Sequence, residues 1–127
     1  MLNNIILMGR LVRDPEVRKT ATGKSVTSFT LAVERDFQSN GEKETDFIDI
    51  VAWNAAADFV GKFFTKGRMA VVRGRLQIRN WEDKEGAKRK AAEVIADSVY
   101  FGDSKPSANT IPAGDYPILD DDEEIPF

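Results

Sequence analysis

The stretch Met69–Trp81, MAVVRGRLQIRNW, alternates in a way that a β-strand satisfies and a helix does not. Successive strand side chains point to opposite faces. Ala70, Val72, Gly74, Leu76 and Ile78 therefore fall on one side, and Arg73, Arg75, Gln77, Arg79 and Trp81 on the other. The first side is apolar enough to be core. The second is basic and ends in an aromatic ring.

Working outward, most of the chain keeps strand character. Residues 4–13 (NIILMGRLVR) form a β-rich run closed by the turn opener Asp14-Pro15. A second turn at Ala21-Thr22-Gly23-Lys24 precedes the strand Ser25–Arg35, SVTSFTLAVER. After a loop or hairpin tip at Ser39-Asn40-Gly41, the β-branched and aromatic run TDFIDIVAW spans Thr45–Trp53. Residues 91–101 (AAEVIADSVYF) form the last strand, separated from Met69–Trp81 by the charged loop EDKEGAKRK around Gly86. Between Trp53 and Met69 the period lengthens: Ala56, Phe59, Val60 and Phe63 are spaced for one amphipathic helix. Asn54 can cap its start, and Lys66-Gly67 supplies a basic, left-handed stop. Three strands, a helix and two strands fit an all-β class with one helix, a five-stranded Greek-key barrel of the OB-fold type.

The chain has 127 residues, room for one domain and an appendage, and neither cysteine nor histidine. Disulfides, thiolate zinc sites, cysteine nucleophiles and imidazole bases are excluded, so neither a metal, a cofactor nor an enzymatic activity is expected. The amino-terminal apolar run is broken by Gly9 and Arg10, unlike a signal peptide or a membrane span. A soluble, cytoplasmic and nucleoid-associated protein is the expectation.

The net charge of −3 hides two opposite halves. Residues 103–127 hold seven acids against Lys105 alone, a net −6, which leaves residues 1–102 at +3. From Gly102 onward, periodicity gives way to Ser, Pro, Asn and Gly. Residues 1–102 are read as the folded domain and 103–127 as a disordered linker with an acidic tip.

The same alternation over Thr45–Trp53 puts Ile48, Ile50 and Ala52 together and Phe47, Asp49, Val51 and Trp53 opposite them. Unpaired bases offer π-faces on a polyanionic backbone, so a sequence-tolerant binder needs aromatic platforms beside guanidinium or ammonium groups. Phe47, Trp53 and Trp81 with Arg73, Arg75 and Arg79 meet that need; Arg10, Arg13, Arg18, Lys62 and Lys66 are further phosphate contacts. Taken singly, such cations are more often ordinary surface charge and such aromatics more often core. It is their shared parity on two strands that argues for binding. Phe37, beside the loop, reads either as core or as another platform. Asp49 stands on the binding side, where a carboxylate repels phosphate.

At the far end, five consecutive acids, Asp120, Asp121, Asp122, Glu123 and Glu124, precede Ile125, Pro126 and Phe127. A solubilising tail explains the acids but not the apolar pair. A rigid, negatively approached Ile-Pro-Phe suits a basic-rimmed hydrophobic pocket on another protein.

These residues resemble the bacterial single-stranded-DNA-binding proteins, including those encoded by phages. The likeness rests on GRLVRDPEVR (Gly9–Arg18), SFTLAVER (Ser28–Arg35), DFIDIVAWN (Asp46–Asn54), FFTKGRMAVVRGRLQIRNWED (Phe63–Asp83) and the acidic Ile-Pro-Phe tip. The resemblance implies an OB-fold homotetramer that coats single-stranded DNA during replication, recombination and repair, without catalysis. It implies stacking by Phe37, Phe47, Trp53 and Trp81, with Arg73, Arg75 and Arg79 on the DNA side. It also implies that the tip recruits genome-maintenance proteins. The linker is shorter than is usual for such proteins. Other readings are an interaction hub with weak DNA binding, an OB-fold RNA binder, or a Mg²⁺-dependent nuclease using Asp46 with Asp49 or Glu82 with Asp83.

Overall fold

The computed structural model describes residues 1–39 and 41–103; the expected linker and the tip Asp120–Phe127 lie outside the described residues. Six strands and one helix follow in the order β1 (Ile5–Leu11), β2 (Glu16–Lys19), β3 (Ser25–Ser39), β4 (Glu42–Trp53), α1 (Asn54–Phe63), β5 (Met69–Glu82) and β6 (Lys88–Phe101). The sheet runs β1-β5-β6-β4-β3-β2, and a further β1–β3 pairing returns it to its start. Five strands therefore close into a barrel, as expected of an OB-fold, while β2 hangs on the outside of β3. All pairings are antiparallel except β4 with β6. Among the described residues no helix is long and apolar enough to cross a membrane.

Closure depends on two glycines. A Cβ on Gly9 would stand 2.5 Å from the Ala32 carbonyl oxygen, and one on Gly74 would overlap the Ile95 carbonyl. Each lets one strand cross another closer than a side chain permits. Opposite Gly74 the β5–β6 register slips, Arg73 facing Ser98 and Gly74 facing Ala96, so Asp97 is bulged. That slip explains why the buried positions of β6 are Val94, Ala96 and Val99 rather than a strict alternation.

The barrel interior holds Leu11, Phe29, Leu31, Ile50, Ala52, Ala70, Val72 and Val94, closed at one end by Ala57, Val60 and Phe64 from the helical segment. The buried Thr27 hydroxyl donates to the Ala57 carbonyl at 2.9 Å and ties the helix to β3. Below the helix, the Arg68 guanidinium lies 4.6 Å from the Phe101 ring and donates through Nε to Asp103 at 3.2 Å. A buried cation is thereby both paired and stacked.

Several sequence expectations need correction. Strand β2 was not anticipated, because its four residues are all exposed and only pairing with β3 orders them. Asn54 does not cap the helix through its side chain; Trp53 occupies the cap position and Asn54 takes a left-handed φ of 56°. The helix ends at Phe63, and Gly67 (φ 89°) serves the turn after it, where the Arg68 N–H donates to the Thr65 carbonyl. The helix buries Ala57 and Val60, whereas Phe63 is exposed. Leu76 and Ile78 are not core either, being 43% and 51% exposed. Pairing of β1 with β5 stops at Gly74, which opens that edge of β5, and past Leu76 and Val94, where pairing of β6 with β4 also ends, β5 and β6 continue as a two-stranded arm. The β3–β4 hairpin is a second arm, longer than expected because cross-strand ion pairs rather than apolar alternation hold it.

Candidate nucleic-acid interface

The outward side of the sheet is assembled from register. Trp53 faces Val26 on β3, which faces Arg18 on β2; Val51 faces Ile95 on β6, which faces Arg75 on β5. This places Arg18, Trp53 and Arg79 around one cleft, with Lys19, Thr20 and Ser28 in its walls. Trp53 is 40% exposed there, although a buried core lies directly beneath β4. An indole half open to solvent between guanidinium groups on both sides offers a base-sized apolar face within reach of phosphates.

The aromatic residues expected to stack bases do not form one continuous surface. Phe47 (68% exposed) lies three positions further out on alternate residues of β4, and Phe37 (85% exposed) stands on the β3–β4 arm. Trp81, 43% exposed, lies on the β5–β6 arm directly opposite Arg89, flanked by Lys88 and Lys90. The turn of that arm is organised by Asp83, whose carboxylate accepts from the backbone of Glu85 and Ala87, both at 2.9 Å, and from Arg89 Nε at 3.1 Å. The Ala87 N–H, helped by Glu85 and Arg89, outweighs partial desolvation and holds the Asp83 carboxyl below its ordinary range.

The basic residues divide into groups. Arg79 reaches across the arm to Glu93 at 3.3 Å, and Arg75 donates to the Gln77 side chain at 2.9 Å. Arg73 is exposed beside Ile6 of β1. Arg13 borders a neighbouring cleft that is mainly acidic, with Asp14, Glu16, Asp49 and Glu93. Asp49 is turned into local structure there, accepting from the Thr30 hydroxyl at 3.0 Å. Arg10, Lys62 and Lys66 are brought together elsewhere, around Phe63, Arg68 and Phe101. Arg10 donates to the Gly67 carbonyl at 3.0 Å and lies 3.8 Å from Asp103.

Sequence reading missed Lys19, Lys88, Arg89, Lys90 and Glu93. The signal for the second, third and fourth was present: a tight turn around Gly86 pairs Lys88–Lys90 with Asn80–Glu82 in a hairpin. The acid pairs considered for Mg²⁺ do not converge. Asp46 and Asp49 lie on opposite faces of β4, with Arg35 and Thr30 as their partners, and Asp83 is committed to its turn. Among the described residues no three metal-ligating side chains gather.

Comparison with known proteins identifies the family. The single-strand binding protein family profile matches residues 2–102. The chain is 52% identical over 111 residues to "Single-stranded DNA-binding protein 1" of Staphylococcus aureus strain Mu50, covering 87% of this chain and 71% of that protein. It is 48% identical over 106 residues to "Single-stranded DNA-binding protein 2" of Listeria monocytogenes, covering 83% and 66% of the two chains. With residues 2–102 matched by the family profile and relatives about half identical over most of the chain, the chain belongs to the single-strand binding protein family.

Proposed function

We propose that this protein binds single-stranded DNA without regard to sequence, by stacking bases on Trp53, Trp81, Phe47 and Phe37 while arginine and lysine side chains hold the phosphates. It is a binding protein and not an enzyme. The observation that carries the reading is the Trp53 cleft between Arg18 and Arg79. Aromatic faces take any base, and duplex DNA hides the π-faces they need, so single strands are selected without base readout. Arg75 continues the basic track along β5, and Arg73, Arg13, Arg10, Lys62 and Lys66 extend it around the barrel.

The test is a titration with oligo-dT. Tryptophan fluorescence is quenched at low salt, and log affinity falls against log salt by about 0.7 per phosphate neutralised. Absence of quenching at low salt refutes the reading.

Assembly and recruitment complete the proposal. Met8 and Tyr100 flank Val71 on one exposed face beside Ile6, and Leu76 and Ile78 are exposed on the opposite face of β5; burial of this apolar surface against further copies supports a homotetramer. The segment Asp120–Phe127 recruits replication, recombination and repair proteins, bringing them to coated DNA in the cytoplasm. Deleting residues 120–127 is expected to abolish partner binding while oligo-dT still quenches fluorescence.

A further inference from the structure

Phe37 is the most exposed aromatic ring among the described residues, and its strand is the least regular. Between the pairs Glu34–Thr45 and Gln38–Lys43, three residues of β3 (Arg35, Asp36, Phe37) oppose Glu44 alone. Two extra residues there forfeit ladder hydrogen bonds where Phe37 must be presented. With 85% of its surface exposed, the Phe37 ring receives little positional restraint from packing.

A guanidinium fills the gap. Arg35 donates through Nε and Nη2 to the two oxygens of Asp46, at 3.0 and 2.9 Å, and through Nη1 to Glu44 at 2.7 Å. Glu44 and Asp46 share the face of β4 opposite Phe47. The fork therefore spans the irregular stretch and fastens the bulged segment to the regular strand at two points. Lys43 and Glu34, at 3.3 Å, add a weaker tie across the same arm. The hydrogen bond with Asp46, then the charges of Asp46 and Glu44, raise the Arg35 pKa; the same hydrogen bond lowers that of Asp46. Both groups are held in their charged forms.

We infer that Arg35 is a positioning residue: its fork on Asp46 and Glu44 holds the bulged arm so that Phe37 is preset to stack a base. This rests on the proposed single-stranded DNA binding and deepens it. Arg35 does not act as a phosphate contact, since its fork is spent on two carboxylates. Pre-ordering matters because a platform on a floppy arm must be immobilised at the moment of binding, at the expense of affinity.

The two roles predict opposite signs. Removing a carboxylate near a phosphate site tightens binding if only charge matters. If Asp46 anchors the strut, Asp46→Ala weakens binding. Arg35→Lys keeps the charge but loses the bidentate fork.

The experiment measures oligo-dT affinity and its salt slope for the full chain, Arg35→Lys, Asp46→Ala, Phe37→Ala and the Arg35→Lys/Phe37→Ala pair, with amide hydrogen exchange recorded without DNA. Expected are losses of about three- to tenfold for Arg35→Lys and Asp46→Ala, an unchanged salt slope, and a double variant no weaker than Phe37→Ala alone. Amides of residues 35–37 and 43–46 should exchange faster in both strut variants while the barrel core keeps its protection. Tighter binding by Asp46→Ala, additive losses, or unchanged exchange in the arm overturns the inference. If the exchange result holds but the unaltered protein does not bind oligo-dT, the DNA reading falls. The positioning role falls with it, leaving Arg35 as architecture alone.

Discussion

Arg79 Nε donates to the Glu93 carboxylate at 3.3 Å, so a cation of the proposed DNA face is bound to the protein's own anion before any phosphate arrives. Glu93 borders both the Trp53 cleft and the acidic cleft beside it, and its side chain is only 14% exposed against 55% for Arg79. The arginine is the more exposed partner, and a phosphate on this face must compete with Glu93 for it. Glu93→Gln should therefore tighten oligo-dT binding and steepen its salt dependence, up to the value of about 0.7 for one added phosphate contact. Fluorescence titrations at several salt concentrations measure both. A weaker complex would mean that Glu93 orients Arg79 rather than restrains it.

Trp53 is expected to be the most costly single platform to remove, because the cleft surrounds it with cations on two strands. Truncation to alanine should cost about 1–3 kcal/mol, a loss of about five- to 150-fold in affinity. The indole is 40% exposed, so thermal stability should change far less than binding does. A calorimetric scan of the variant beside its oligo-dT titration separates the two effects.

Gly74→Ala tests closure of the barrel. The new methyl would strike the Ile95 carbonyl at the crossing of β5 and β6, next to the Asp97 bulge. Backbone must shift, and a loss of about 1–3 kcal/mol is expected, visible in urea unfolding. Gly86→Ala should be milder: nothing approaches a Cβ there, and only the positive φ of 82° is strained.

Acid should loosen the two arms before the barrel. Asp83 and Asp46 have pKa values below the ordinary carboxylate range, through backbone N–H groups led by Ala87 in one case and the Arg35 hydrogen bond in the other. A carboxyl whose folded pKa is depressed contributes stability above its unfolded pKa, about 3.9. That contribution is lost as pH falls through the lower folded value. Amides around the Asp83 turn should thus lose exchange protection below about pH 4 while those of Leu31 and Ile50 in the core keep theirs. Asp83→Asn should remove this acid-dependent step at the turn. Persistence of the step in that variant would trace it to another group.

The closed five-stranded barrel was legible because its core strands obey simple alternation: Ile50 and Ala52, or Ala70 and Val72, are apolar on one face and buried as parity requires. Phe47, Trp53 and Arg79 were selected by the same rule, since a period of two assigns faces without knowledge of strand order. Composition determined the absence of cysteine and histidine chemistry and the opposite charges of the two halves. Parity says nothing of where a sheet ends, and that only the tertiary structure decided. Leu76 and Ile78 have the alternation of core residues, yet they lie past the last β1 partner of β5 and meet solvent. Strand β2 has no apolar pattern and exists through its pairing with β3. The partition of the cations is also tertiary: Arg18 and Arg79, far apart in sequence, share a cleft, whereas Arg10 joins Lys62 and Lys66 in another. Local sequence fixes which face a side chain takes; register, bulges and closure of the barrel fix which side chains from distant strands become neighbours.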